Sequence, residues 1–179
     1  MNASFKVLTD IVDSATDEEW RSRAYDGANL IGFTAWHAAR TMDWAVNRVL
    51  RGQPEMADRD EWADLKVPGA MFGAGASRDT ADSVPATVSR ARVREYIAEL
   101  RSGVMAWLEA VPDEELNEKT DLKSGKSARP EYLEHAVWEE IADLNGIPKW
   151  QFLARPGVNH IRVHYGEMTS QLQSLRAGR

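Results

Sequence analysis

The sequence contains no cysteine, which excludes disulfide bonds, thiolate metal ligands and cysteine nucleophiles. It also lacks any apolar run near the roughly 20 residues that a membrane-spanning helix needs. Near the N-terminus, Asp10 and Asp13 interrupt the apolar core that a signal peptide would require. These absences predict a cytoplasmic protein that has no membrane partner.

Basic charge is also scarce, since 22 Lys and Arg residues face 28 Asp and Glu residues and the net charge is −6. Proteins that bind nucleic acids neutralise phosphates with clustered Lys and Arg side chains. The sequence has no such cluster, so we expect no nucleic-acid partner. Alternating runs of β-branched residues, the usual signal of strands, are missing as well.

Apolar residues do recur, and they recur at helical spacing along most of the chain. A capping-box pattern, Thr16 followed by Glu19, marks a further short helix start. Asn159 is the predicted N-cap of the last helix, after a break at Pro156-Gly157. It is left open whether 131–176 is one broken helix or two. The spacing predicts an all-α bundle that forms one domain, 1–179. The main predicted helices cover 4–14, 30–51, 86–111, 132–144 and 159–176.

The segment 52–84 differs from its surroundings because proline and glycine punctuate it. A short helix over 58–65 is the only element that its pattern predicts. Connections of this length are uncommon in compact domains and are often functional. The alternative is a loop that covers one end of the bundle.

Two histidines, His160 and His164, stand four residues apart in the last predicted helix. Residues at this spacing share a helix face, so both imidazoles can bind one divalent metal ion. His37 belongs to an otherwise aromatic row on the helix over 30–51 and is expected to face inward as a third ligand. The alternative is that these are partly buried histidines held by ordinary hydrogen bonds.

Three further features have competing interpretations. His135 is a rival ligand, but its position favours a histidine on the helix surface. Arg40 could pair with an acidic substrate, although a surface ion pair of little energetic value is favoured. The apolar residues Trp36, Val46 and Trp138 predict a homodimer interface unless the long loop covers them.

Two motifs carry a family resemblance: Gly32-Phe33-Thr34-Ala35-Trp36-His37-Ala38-Ala39-Arg40 and His160-x-x-x-His164-x-Gly166-Glu167. With these motifs and the Pro68-Gly69 loop, the whole chain resembles the DinB-like superfamily, which is related to mycothiol- and bacillithiol-dependent transferases. The resemblance implies a four-helix bundle of up-down-down-up topology. It also implies a divalent metal, usually zinc or nickel, on His37, His160 and His164.

Two functional hypotheses follow. The first is a metal-dependent transferase or hydrolase that acts on a small-molecule substrate, with a low-molecular-weight thiol as the co-substrate that the resemblance suggests. Glu167 would then act as a general base or orient a ligand. The alternative is a non-catalytic dimeric bundle with a structural or vestigial metal site, which acts in stress response or partner binding. An open metal position favours catalysis, whereas a fourth protein ligand, Glu167 or His135, favours a structural site.

Overall fold

The computed structural model describes residues 1–128 and 135–178, and in them the chain forms helices but no strand. The all-α prediction is therefore confirmed for the described part. Two π-helices, Trp44–Leu50 and Arg155–His160, interrupt the α-helical run, and the 3₁₀-helices are Met56–Asp58, Asp60–Leu65 and Ala142–Leu144. The α-helices are α1 (Asn2–Ser14), α2 (Asp17–Trp20), α3 (Ile31–Asp43), α4 (Arg78–Thr87), α5 (Arg90–Ala110), α6 (Asp113–Asn117), α7 (Leu122–Ala128), α8 (His135–Ile141), α9 (Lys149–Ala154) and α10 (Ile161–Ala177).

Four of these helices form the centre of the molecule. Helix α1 packs against α5 and α10, and α3 packs against the same two helices from the other side. The inward stripe of α1, with Phe5, Leu8 and Val12 fully buried, confirms the helix predicted over 4–14. This arrangement is a helical bundle, whereas its up-down-down-up connectivity stays a prediction. Within the described residues, no helix combines the length and the apolarity needed to span a bilayer.

The helix predicted over 30–51 exists, but its second half is widened into the π-helix Trp44–Leu50. Both halves are buried on most sides, and Trp36 and Val46 have no exposed surface. The prediction that these two residues form a dimer interface is therefore wrong. A helix in the centre of the bundle has neighbours all around it, so an apolar residue beyond the main seam still lies in the core.

The long connection 52–84 covers this helix, as the alternative interpretation predicted. The indole Nε1 of Trp36 donates a hydrogen bond to the carbonyl of Leu65 at 2.9 Å. The connection is more structured than the sequence analysis expected, because it holds two 3₁₀-helices and most of α4. The prediction of a single helix from 86 to 111 is wrong at its start, since α4 ends at Thr87 and Ser89 caps a new helix, α5.

The approach to α10 also differs from the prediction. The chain is helical from Lys149 to Ala177 without a break, and Asn159 lies inside the π-helix instead of capping a helix. Proline lacks an N–H group and its ring crowds the preceding turn, and a π-helical turn absorbs that mismatch at Pro156. The helix predicted over 132–144 lies partly outside the described residues. Its described part, α8 and a 3₁₀-turn to Leu144, is separated from α9, so 131–176 is not one helix.

Candidate metal centre

Helix α3 provides the first histidine of the candidate site. The imidazole of His37 stacks on the ring of Phe33, one turn earlier, with centroids 5.8 Å apart and planes 6° from parallel. Its Nδ1 lies 2.6 Å from the carbonyl oxygen of Phe72, in the long connection. A carbonyl only accepts hydrogen bonds, so Nδ1 carries the proton and Nε2 presents a lone pair to the interior.

The other two histidines come from the last helical segment. His160 ends the π-helix and His164 lies in the first turn of α10. The Nε2 atom of His160 lies 3.1 Å from Nε2 of His37 and 3.1 Å from Nε2 of His164. The three side chains therefore form a compact group that could hold a metal ion. This is the trio that the sequence analysis singled out.

The tautomer of His164 is fixed by a carboxylate. Its Nδ1 donates to Oε2 of Glu167 at 2.9 Å, which again leaves Nε2 as the free acceptor. The other oxygen of Glu167 accepts from Nε2 of Gln171 at 3.3 Å, and the same amide group reaches the carbonyl of Asn29 at 3.2 Å. A carboxylate that holds the outer nitrogen of a metal-binding histidine is a common feature of metal sites.

Burial keeps two of the imidazoles neutral. Burial, together with the neighbouring His164, lowers the pKa of His37 to about 4. Burial and the two other histidines lower the pKa of His160 to about 2. Histidine binds metals as the neutral imidazole, so both residues are in the metal-binding form at neutral pH.

The hydrogen-bonding pattern of the cluster fits a cation better than it fits an empty core. The two Nε2 lone pairs of His37 and His164 face Nε2 of His160, which can donate to at most one of them. The buried Nδ1 of His160 has no hydrogen-bond partner. Nitrogen atoms bound to Zn²⁺ at about 2.0–2.1 Å in tetrahedral geometry lie about 3.3 Å apart, close to the observed spacing. A divalent ion would satisfy all three lone pairs.

A cavity of about 700 Å³ adjoins the three histidines. Its inner wall is aromatic, and Trp44 stacks on Phe72 there with ring centroids 5.0 Å apart. Exposed polar residues, Arg155, Asn159 and Glu140, contribute to its outer part. Volumes of this size suit small organic ligands, and mostly apolar walls with a few polar groups are typical of their binding sites.

No fourth protein ligand joins the group among the residues that the structure describes. Glu167 contacts the outer nitrogen of His164, which is the orienting role that the sequence analysis proposed for it. Its alternative role as a general base stays a prediction. The proposed surface position of the His135 side chain lies outside the described part of the chain.

Arg40 is placed differently from its predicted position. It is 1% exposed instead of lying on the surface, and it forms ion pairs with Asp43 at 3.2 Å and Glu55 at 3.1 Å. Arg40 lies on the same side of α3 as His37, one turn later, but its guanidinium contacts Asp43, Tyr96 and Glu55. The interpretation as a surface ion pair is therefore wrong, and nothing places this side chain at the metal cluster.

Two contributors to the site were missed by the sequence analysis, namely the carbonyl of Phe72 and the adjoining Gly73. Every residue has a backbone carbonyl, so the sequence does not indicate which carbonyl contacts the site. The glycine-rich stretch after Pro68 was visible, but its partner in α3 depends on how the chain folds back.

The family model of the DinB superfamily matches residues 2–145. This chain belongs to the DinB superfamily. In this DinB protein the matched stretch contains His37, whereas His160 and His164 lie C-terminal to it. The fold brings these two histidines next to His37. No curated protein and no solved structure matches the chain.

Proposed function

We propose that this DinB protein is a metal-dependent enzyme, a transferase or hydrolase, that binds a divalent ion on His37, His160 and His164. The observation that carries the proposal is the convergence of three Nε2 lone pairs beside a cavity. Zinc and nickel are the ions we expect, since imidazole ligands suit both. When bound, such an ion supplies Lewis acidity and lowers the pKa of a water molecule or thiol.

The chain's own residues supply binding and orientation. The carbonyl of Phe72 and the carboxylate of Glu167 hold two imidazoles in the tautomer that leaves Nε2 free. The aromatic wall, with Trp44 and Phe72, excludes water and accommodates the apolar part of a small-molecule substrate. Arg155, in the outer part of the cavity, can pair with an acidic group of that substrate.

A low-molecular-weight thiol is the co-substrate that family membership favours, and this part of the proposal rests on analogy. The competing function is a non-catalytic bundle with a structural metal. The engagement of Glu167 with His164 argues against it, because a structural site closes its fourth position with a protein ligand. A homodimer and a cytoplasmic location stay predictions.

Metal content is the measurement that tests the proposal. Protein purified without an affinity tag is analysed by plasma mass spectrometry, as wild type, His37→Ala and His160→Ala. We expect about one ion per chain in the wild type and a near-complete loss in both variants, because each removes one of three ligands. Arg162→Ala is the matched control, since Arg162 is exposed on α10 between the two histidines.

The two reaction classes are then separated with model substrates. Hydrolase activity is measured as the hydrolysis of 4-nitrophenyl acetate without thiol. Transferase activity is measured as the transfer of a thiol to 1-chloro-2,4-dinitrobenzene, with a panel of low-molecular-weight thiols. Wild-type protein that binds no metal after incubation with Zn²⁺ or Ni²⁺ would contradict the proposal. Metal binding without either activity would favour the structural alternative.

A further inference from the structure

The turn around Gly73 forms the wall of the candidate site opposite α10. A hydrogen bond between the N–H of Gly73 and the carbonyl of Ala70 closes one tight turn, and a bond from Ala76 to Gly73 closes the next. Ala70 and Phe72 are buried, and Phe72 stacks on Trp44 of the adjacent π-helix. The segment is therefore anchored in the core just before the position that faces His37, and after it the partly buried Ala74 and Ala76 pack against the core.

The backbone of Gly73 approaches the imidazole of His37 more closely than a residue with a Cβ atom could. A Cβ atom at this position would lie 2.6 Å from Nδ1 and 3.0 Å from Cγ of His37. The backbone φ of Gly73 is +101°, a conformation that side chains with a Cβ rarely adopt. The close approach also places the preceding carbonyl, that of Phe72, 2.6 Å from Nδ1.

We infer that Gly73 is a positioning residue, and that the turn around it clamps His37 in the orientation needed to bind metal. Phe33 stacks on the imidazole within α3, the Gly73 backbone packs against it, and the Phe72 carbonyl accepts a hydrogen bond from its Nδ1. The ring can then neither rotate nor change tautomer without losing these contacts. The long connection is thus part of the site as well as a cover for the bundle. This inference rests on the proposed metal binding.

The test compares Gly73→Ala with Gly69→Ala. Gly69 has a φ of +75° in the same connection, and a Cβ there would meet nothing closer than 3.9 Å. Both variants carry the backbone strain of a positive φ, but only Gly73→Ala crowds His37. We expect Gly73→Ala to weaken binding of Zn²⁺ or Ni²⁺ by about 10- to 100-fold, as loss of an orienting partner does. Gly69→Ala should retain the wild-type affinity. Equal losses in the two variants would overturn the inference.

A second measurement needs no metal and therefore separates this inference from the proposed function. The melting temperature of metal-free protein is measured for Gly73→Ala in the wild-type background and in the His37→Ala background. We expect a smaller decrease in the second background, because removal of the imidazole makes room for the methyl group. Gly69→Ala should lower the melting temperature equally in both. Additive effects of Gly73→Ala and His37→Ala would show that no clamp exists, even if the wild type binds metal.

Discussion

Helix α3 carries two polar clusters whose central groups differ in how completely their hydrogen-bonding capacity is satisfied. The histidine cluster leaves lone pairs facing one another and one buried nitrogen of His160 without a partner. The cluster around Asp43, by contrast, surrounds a fully buried carboxylate with donors. Those donors are the side chains of Arg40, Asn47 and Tyr96 and the backbone N–H groups of Met56 and Ala57.

The difference fits a structural role for the cluster around Asp43 and the proposed binding role for the histidine cluster. Asp43 ties the end of α3 to the long connection and to α5, and a buried carboxylate with this many donors stabilises one arrangement of its neighbours. In the histidine cluster at most one donor faces the two Nε2 lone pairs of His37 and His164, so a bound cation would add stability that the metal-free cluster lacks. An unsatisfied polar group in the core needs a physical explanation, and the proposed metal binding supplies one for the histidine cluster.

The largest effect expected from this comparison is on folding stability. Asp43→Ala should lower the free energy of unfolding by about 3–5 kcal/mol, because it leaves Arg40 as a buried charge that has lost a main partner. In metal-free protein, His160→Ala should change that free energy by about 1 kcal/mol or less, since it removes a group whose Nδ1 is unpaired. Urea denaturation in the presence of a chelator measures both values. A similar decrease in the free energy of unfolding in the two variants would contradict the proposed difference between the two clusters.

A second prediction sharpens the role of the histidine cluster. Glu167→Ala should weaken metal binding by about 10- to 100-fold, because it removes the carboxylate that orients His164. Glu167→Gln should recover part of this loss, since its amide oxygen can still accept from Nδ1. Titration with Zn²⁺ provides the affinities. Low activity of Glu167→Gln with nearly normal affinity would instead support the predicted general base.

The smallest effect concerns a polar contact at the edge of the core, between the capping box of α2 and the end of α10. Two hydrogen bonds from Arg176, at 2.9 and 3.1 Å, lower the pKa of Glu19 to about 2 against the opposing effect of burial. A carboxyl with a lowered folded-state pKa contributes stability above its ordinary value of 4.5, and this is lost as the pH falls toward 2. We expect this contact to contribute about 1–2 kcal/mol to the free energy of unfolding, after allowance for solvent screening at the half-exposed Arg176.

Acid denaturation of wild type and Arg176→Met checks this value. The variant should be less stable at pH 7 and should lose less stability between pH 4.5 and 2. Lys6→Met, which removes an exposed i,i+4 ion pair with Asp10, serves as the control. Parallel pH profiles of wild type and Arg176→Met would show that the contact contributes nothing.

Much of this fold was predictable because it rests on local signals. Helical periodicity located the central helices, the Thr16–Glu19 capping box was correct in both of its hydrogen bonds, and the spacing of His160 and His164 indicated a shared face. These features depend on residues within one or two helical turns, where helix geometry determines which side chains and backbone groups are in contact.

The remaining features depended on neighbours that are distant in the chain. The burial of Arg40 and Trp36 and the contact of Gly73 with His37 each involve segments that only folding brings together. The sequence alone determined the helical class and the three candidate ligands. Only the tertiary structure decided which apolar faces are covered, because long-range packing overrides local sequence patterns. It also decided what orients each imidazole, because the contacts of a backbone carbonyl cannot be inferred from residue type.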